Sequence, residues 1–183
     1  MKTWIALLRG VNVGGKNKLP MKALAAELAT LGLSDIRTYI QSGNVIFRSP
    51  DTRVAAILAA EISAAIKTKF GFEPHVIVIS AKELADSVTA NPFPELSPNA
   101  DGKALHFFFL LEAPRNFDQD RLAAVRRQSE RWQIEGRVLY LHTPEGFGNS
   151  KLAAQIERIL GVTSTARNWS TVCALLDLVK DPG

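Results

Sequence analysis

The chain has 183 residues, 46% of them hydrophobic, which is enough to bury a core as one domain or two small ones. Its single cysteine, Cys173, excludes an internal disulfide framework and favours a reducing compartment. The net charge of +4 favours anionic partners only weakly, because basic and acidic residues are interspersed. The first apolar run stops at Arg9 and no stretch approaches a membrane span, so we expect a cytoplasmic protein without membrane partners.

The first half of the chain predicts the order strand, helix, strand, strand, helix, strand, followed by one extra helix. The second helix is predicted to begin at Ser49-Pro50, with Val54 and Ile57 among its inward residues. The extra helix begins at Ser80, where Ser80 and Glu83 have the spacing of a capping box. The other predicted elements are strands over 3–9, 36–40, 44–48 and 75–79 and a helix over 20–31.

The second half repeats this order after a linker over 91–102 that is rich in proline and turn formers. We therefore predict an α+β protein with two tandem ferredoxin-like subdomains, 1–90 and 103–183, each followed by an extra helix. A single mixed sheet with a coincidental order is the alternative. The predicted elements are strands over 104–111, 131–135, 137–142 and 163–167, a helix capped by Asp118, and helices over 150–160 and 170–180.

A glycine-rich cationic loop, RGVNVGGKNKLP from Arg9 to Pro20, joins the first strand to the first helix. Such a loop can point backbone N–H groups at an anion, with Arg9 and Lys16 as further donors. A true P-loop is disfavoured, because Asn17 stands where Ser or Thr would hold Mg²⁺. A plain strand-to-helix turn is the alternative interpretation.

The split topology places the Arg9–Lys18 loop and the Gln41–Asn44 hairpin at the same edge of the first sheet. Residues Ser42, Gly43 and Asn44 are predicted to contact the ligand or to form only a turn.

In the second half, the loops after the third and fourth strands should also meet at one edge. Ser150 and Lys151 begin a helix there and form a second candidate anion site, although Ser150 is equally well explained as a helix cap. Arg167, Asn168 and Trp169 offer a guanidinium and an aromatic face; alternatively, Asn168 or Ser170 caps the last helix and Trp169 belongs to the core.

No catalytic or metal-binding group is assigned from the sequence. His75, His106 and His142 lie far apart in sequence without companions at ligand spacing, so no metal site is predicted. Glu145 and Asp101 have no evident partner, so no general acid–base pair can be named.

Four blocks of the chain, LLRGVNVGGKNKLPM, TYIQSGNVIF, LYLHTPEGFGNSKL and TARNWSTV, resemble the signature blocks of the bacterial domain-of-unknown-function 1697 family. The resemblance implies a cytoplasmic bacterial protein with two similar ferredoxin-like halves, and it implies no activity. Ser170 departs from the family block, which usually reads RNWNT. The family's polar positions map onto Arg9, Asn12, Gly14, Gly15, Ser42, Gly43, Asn44, Ser150, Lys151, Arg167, Asn168 and Trp169.

The leading hypothesis is a protein that binds a small phosphorylated or nucleotide-like anion at these loops, with Lys16 added to the site. Single-stranded nucleic-acid binding is the second hypothesis, because a ferredoxin-like sheet is also the scaffold of RNA-recognition domains. An enzyme acting on a phosphorylated substrate is the third. No cofactor is indicated by the sequence.

Overall fold

The computed structural model describes residues 1–180, which form two compact units. The first unit comprises Met1–Ala85 together with the end of the last helix from Leu175 onward. The second unit comprises Asp86–Ala174.

The first unit contains a four-stranded antiparallel sheet in the order β2-β3-β1-β4. Its strands and helices follow the order predicted from the sequence. They are β1 (Lys2–Leu8), α1 (Met21–Thr30), β2 (Ser34–Tyr39), β3 (Asn44–Ser49), α2 (Ala55–Phe70) and β4 (Val76–Ser80), followed by α3 (Ala81–Thr89), which continues into the second unit.

The core of the first unit lies between one face of this sheet and helices α1 and α2. Alternate strand residues such as Ala6, Val45 and Val78 supply the sheet side. Leu24 of α1 and Leu58 of α2 lie opposite them and are fully buried. The two helices therefore cover one face of the sheet.

The second unit contains another four-stranded antiparallel sheet, in the order β6-β7-β5-β8. Residues such as Phe108, Leu139 and Leu152 join this sheet to its helices in one core. The elements are α4 (Pro98–Asp101), β5 (Leu105–Leu110), α5 (Gln119–Val125), β6 (Arg131–Glu135), β7 (Val138–His142), a 3₁₀ turn (Phe147–Asn149), α6 (Lys151–Leu160), β8 (Ser164–Asn168) and α7 (Trp169–Lys180).

Two features of α2 differ from the sequence prediction. The helix begins at Ala55 rather than at Ser49-Pro50, and its N-cap residue, Val54, offers no side-chain cap. Val54 and Ile57, predicted to point inward, are 53% and 54% exposed. Nearly every residue in the first turns of α2 is apolar, so the pattern does not mark which side faces the core.

The predicted linker over 91–102 is not entirely irregular. It contains the short helix α4, whose first turn is capped by Ser97, with 3.3 Å between the Ala100 N and the Ser97 Oγ. The predicted capping box of α3 is confirmed, because the Glu83 N donates to the Ser80 Oγ and the Ser80 N donates to Glu83. Within residues 1–180, no helix combines the length and apolar character needed to cross a membrane.

Candidate functional site

The Arg9–Lys18 loop is held in a fixed shape by the side chain of Asn12. The Asn12 Nδ2 donates to the Leu19 carbonyl at 2.9 Å and to the Gln41 carbonyl at 2.8 Å. The Asn12 Oδ1 accepts from the Leu19 N at 2.7 Å. Asn12 thus joins the loop to the hairpin between β2 and β3, which confirms that the two segments are neighbours.

A tight turn projects from this loop at Gly14-Gly15. Val13 and Lys16 form an isolated bridge, with the Lys16 N donating to the Val13 carbonyl at 3.1 Å. Gly14 and Gly15 have φ values of +59° and +74°, as the central residues of a type I′ turn require. Both are exposed, and within residues 1–180 their N–H groups donate to no protein acceptor.

The β2–β3 hairpin packs tightly against the end of β1 at Gly43. A Cβ added there would lie 2.6 Å from the Val11 Cγ2 and 2.7 Å from the Leu8 Cβ, and Gly43 also has a φ of +76°. The next residue, Asn44, is fully buried, and its Nδ2 donates to the Tyr39 carbonyl and to the Ser42 Oγ. Gly43 and Asn44 therefore shape the turn; their role in ligand binding stays a prediction.

Three residues at this edge, one of them within the loop, were not among the predicted site residues. Val13 and Ile40 are exposed apolar side chains, and Ile40 has a φ of +49°, which is strained for a β-branched residue. His75 lies beside Arg9, whose N donates to the His75 carbonyl at 2.9 Å. His75 lies beside Arg9 because β1 pairs with β4, where Leu8 is opposite Val76. That strand pairing is the information needed to place His75 beside the loop.

In the second unit, two predicted site residues act as helix caps. The Ser150 Oγ accepts from the Ala153 N at 3.0 Å at the start of α6, and the Asn168 Oδ1 accepts from the Thr171 N at 2.9 Å at the start of α7. Lys151, the first residue of α6, is exposed. Each cap accepts a hydrogen bond from a backbone N–H group that has no intrahelical acceptor. Any ligand contact by these side chains stays a prediction.

Arg167 is the least expected of the predicted residues, because its charged side chain is buried. The Arg167 Nη1 donates to the Thr165 Oγ1 at 2.9 Å and to the Ala166 carbonyl at 2.8 Å. Burial lowers the pKa of the Arg167 guanidinium to about 10. Trp169 is also buried, with its ring centroid 6.4 Å from that of Phe107.

The second set of predicted residues shares one edge of the sheet but not one face. His142 pairs with Leu105 and Asn168 pairs with His106, which confirms that both loops begin at the same edge. Arg167 pairs with Phe107, and neighbouring strand residues project to opposite faces. Arg167 therefore lies on the face opposite Asn168, and the second set does not lie on one surface.

Two carboxylates that had no evident partner in the sequence have partners in the structure. Glu145 accepts from the Arg127 Nη1 at 2.8 Å and from the Ser129 hydroxyl, and these bonds lower the pKa of the Glu145 carboxyl. Asp101 accepts from the Ser97 N at 3.0 Å, and its Oδ1 lies 3.7 Å from the His142 Nε2.

Two of the histidines are buried in the second unit. The His106 ring stacks on that of Phe147 at a centroid distance of 3.8 Å, and burial lowers the pKa of His106 to about 4. Burial also lowers the pKa of His142. Across residues 1–180, no three His, Cys, Asp or Glu side chains form a group that could hold a metal ion.

A family model described as "Protein of unknown function (DUF1697)" matches residues 1–140. The chain belongs to the DUF1697 family. The matched residues include the Arg9–Lys18 loop and the Gln41–Asn44 hairpin, whereas Ser150, Lys151 and Arg167 lie beyond them. The family match therefore includes the loop and the hairpin that the hydrogen bond from Asn12 to Gln41 joins.

The solved structures include one that is similar to this DUF1697 protein over nearly its whole length. It is the conserved bacterial protein SP0830 from Streptococcus pneumoniae, with a TM-score of 0.69 and 22% sequence identity. The alignment covers 97% of this chain and 98% of SP0830, so the two proteins share a fold. A comparison with curated proteins found no similar sequence.

Proposed function

We propose that this protein binds a small phosphorylated or nucleotide-like anion at the Arg9–Lys18 loop of its first unit. The observation that carries the proposal is the exposed Gly14-Gly15 turn, whose N–H groups donate to no acceptor among residues 1–180. N–H groups presented in succession by a turn form a concavity that suits an anion.

Charge around this turn supports the same ligand. Arg9, Lys16 and Lys18 are all exposed, and the segment from 9 to 20 contains no acidic residue. Lysine is a flexible donor to phosphate, and arginine can bind two of its oxygens at once.

Asn12 supports the proposal through preorganisation rather than through direct contact. Its hydrogen bonds to Leu19 and Gln41 use both atoms of the side-chain amide. A loop that is already fixed loses less conformational entropy when the ligand binds. In this proposal Asn12 and Asn44 hold the loop and the hairpin, and the backbone of the turn with Lys16 and Arg9 meets the anion.

The alternative of single-stranded nucleic-acid binding is less well supported. RNA-recognition sheets stack bases on exposed aromatic residues of the central strands. In β1 and β3, Trp4, Ile5, Ile46 and Phe47 are all at least nine-tenths buried, so neither face of these strands offers a stacking surface.

We also infer that the two units are duplicated ferredoxin-like copies in a bacterial cytoplasmic protein. Equivalent backbone hydrogen bonds support the duplication. In the first unit, the Leu8 N donates to the Gly43 carbonyl and the Arg9 N donates to the His75 carbonyl. In the second unit, the Leu110 N donates to the Arg137 carbonyl and the Leu111 N donates to the Thr163 carbonyl. Each pair of bonds ties the end of the first strand of a unit to the same two neighbouring segments.

Isothermal titration with inorganic phosphate, pyrophosphate and AMP tests the proposed function. Replacing Lys16 by Gln removes one exposed charge, so the affinity for the tightest of these ligands should fall about fivefold. Lys69→Gln is the matched control, because Lys69 is an exposed lysine in the last turn of α2, outside the loop. An absence of saturable binding of all three anions, or an equal loss in both variants, would reject the proposal.

A further inference from the structure

The second unit contains a cavity of about 460 Å³ at the edge where β5 ends and β8 begins. One wall is the loop after β5, from Glu112 to Asn116, and the other is the end of α6 with the residues that follow it, from Arg158 to Val162. A volume of this size lies within the range typical of small-molecule sites. None of its lining residues belongs to the Arg9–Lys18 loop, so this cavity is independent of the function proposed above.

Two arginines from different walls line the cavity. Arg115 lies in the loop and Arg158 in the last turn of α6, and both are exposed. Within residues 1–180, neither guanidinium has a hydrogen-bond or ion-pair partner, although Glu112 lines the same cavity. Two arginines that line one cavity from different walls provide guanidinium groups suited to the oxygens of a phosphate or carboxylate.

The remaining lining adds hydrogen-bond acceptors and apolar residues of the core. The last turn of a helix leaves carbonyl groups without intrahelical partners, and α6 ends at this cavity. Together with the Glu112 carboxylate, these carbonyls can accept hydrogen bonds from ligand hydroxyls. Ile159, Leu160 and Val162 also line the cavity; they are buried in the core of the second unit and fix the position of this wall.

The helix C-terminus opposes anion binding by itself, because it carries roughly half a negative charge. With the Glu112 carboxylate, the negative charge at the cavity is roughly one and a half units, and the two full positive charges of Arg115 and Arg158 still exceed it. The arrangement therefore favours a ligand with an anionic group at the arginines and hydroxyl donors toward the carbonyls. We propose that this cavity binds a small phosphorylated polyol, of the sugar-phosphate class.

Isothermal titration of the full chain with glucose 6-phosphate, inorganic phosphate and glucose tests this inference. Glucose 6-phosphate should bind saturably and more tightly than either of the other two, because it alone offers both kinds of group. Arg115→Gln and Arg158→Gln should each weaken its binding by about fivefold, and the double variant should weaken it further. Arg121→Gln is the matched control, because Arg121 is an exposed arginine of α5 that does not line the cavity.

The outcomes separate this site from the loop site. Loss of glucose 6-phosphate binding in the double variant, with retention in Lys16→Gln and Arg121→Gln, would support the cavity. Absence of binding, equal affinity for phosphate alone, or the same affinity in the double variant and the unmodified protein would overturn the inference. A loss seen only in Lys16→Gln would also overturn it and would assign the ligand to the Arg9–Lys18 loop.

Discussion

At the scale of single residues, glycine has two different roles in the Arg9–Lys18 region. Gly14 has a left-handed backbone but nothing within 4 Å of an added Cβ, whereas Gly43 has both a left-handed backbone and a close approach to Leu8 and Val11. The first situation costs only backbone strain, and the second adds a steric overlap inside a packed region.

This difference predicts unequal effects of two identical substitutions. Gly14→Ala should lower the free energy of unfolding by about 1 kcal/mol, which is the usual penalty for a left-handed L-residue. Gly43→Ala should lower it by about 3 kcal/mol, because overpacking is added to the strain. Urea denaturation of both variants measures the difference, and equal losses would contradict the packing described for Gly43.

His106 gives a second prediction at this scale, concerning the dependence of stability on pH. Burial lowers the pKa of His106 from 6.5 to about 4 in the folded protein. Between these two pH values the unfolded chain binds a proton that the folded protein does not, so stability falls as the pH falls. His106 should contribute a slope of at most about 1.4 kcal/mol per pH unit in this window.

Replacing His106 by Phe should remove this contribution, because Phe can keep the stacking on Phe147 without titrating. Urea denaturation at several pH values between 6.5 and 4 should then show a shallower loss of stability than the unmodified protein. His75→Gln serves as the control, because His75 is exposed. An unchanged slope in His106→Phe, or the same flattening in His75→Gln, would contradict a buried neutral His106.

At the scale of secondary-structure elements, local capping signals were the most reliable part of the sequence. Asp118 caps α5, with 2.8 Å between the Arg121 N and the Asp118 Oδ1, and Ser80 and Glu83 form the predicted box. These caps depend only on residues within one turn, so the sequence alone predicts them. The start of α2 was predicted wrongly, because Val54 provides no capping side chain.

The orientation of α2 gives a direct test of its packing. Leu58 is fully buried and Ile57 beside it is 54% exposed. Leu58→Ala should lower the free energy of unfolding by about 2–5 kcal/mol, and Ile57→Ala should change it by less than about 0.5 kcal/mol. Urea denaturation measures both variants, and a large loss for Ile57→Ala would contradict the orientation of α2.

At the scale of the whole molecule, the element order was predictable and the grouping of candidate side chains was only partly so. The order of strands and helices follows from hydrophobic periodicity, and the edge shared by Arg9–Lys18 and Gln41–Asn44 follows from the topology. The burial of Arg167 was not predictable, because an arginine in a strand is ordinarily expected at the surface. The loops of the second unit meet at one edge as predicted, but Arg167 and Asn168 lie on opposite faces of its sheet.

The strained backbone at Ile40 also lay beyond sequence reasoning. Its side-chain type gives no indication of a positive φ, and Ile40 directly follows the last residue of β2. The 22% identity to SP0830 extends over almost the entire chain, so the two proteins have the same fold despite a divergent sequence. A shared fold does not establish a shared ligand, and the function must be tested at the loop itself.

The most direct test is a phosphate titration followed by amide NMR spectra of the full ¹⁵N-labelled chain. If the Gly14-Gly15 turn receives the anion, the N–H signals of Gly14, Gly15 and Lys16 should shift saturably and more than the other amide signals of the first unit. The same titration of Lys16→Gln should require about fivefold more phosphate to reach half-saturation. If the Gly14 and Gly15 signals stay unmoved while phosphate binds elsewhere, or if no signal moves at all, the anion-binding account of this loop is wrong.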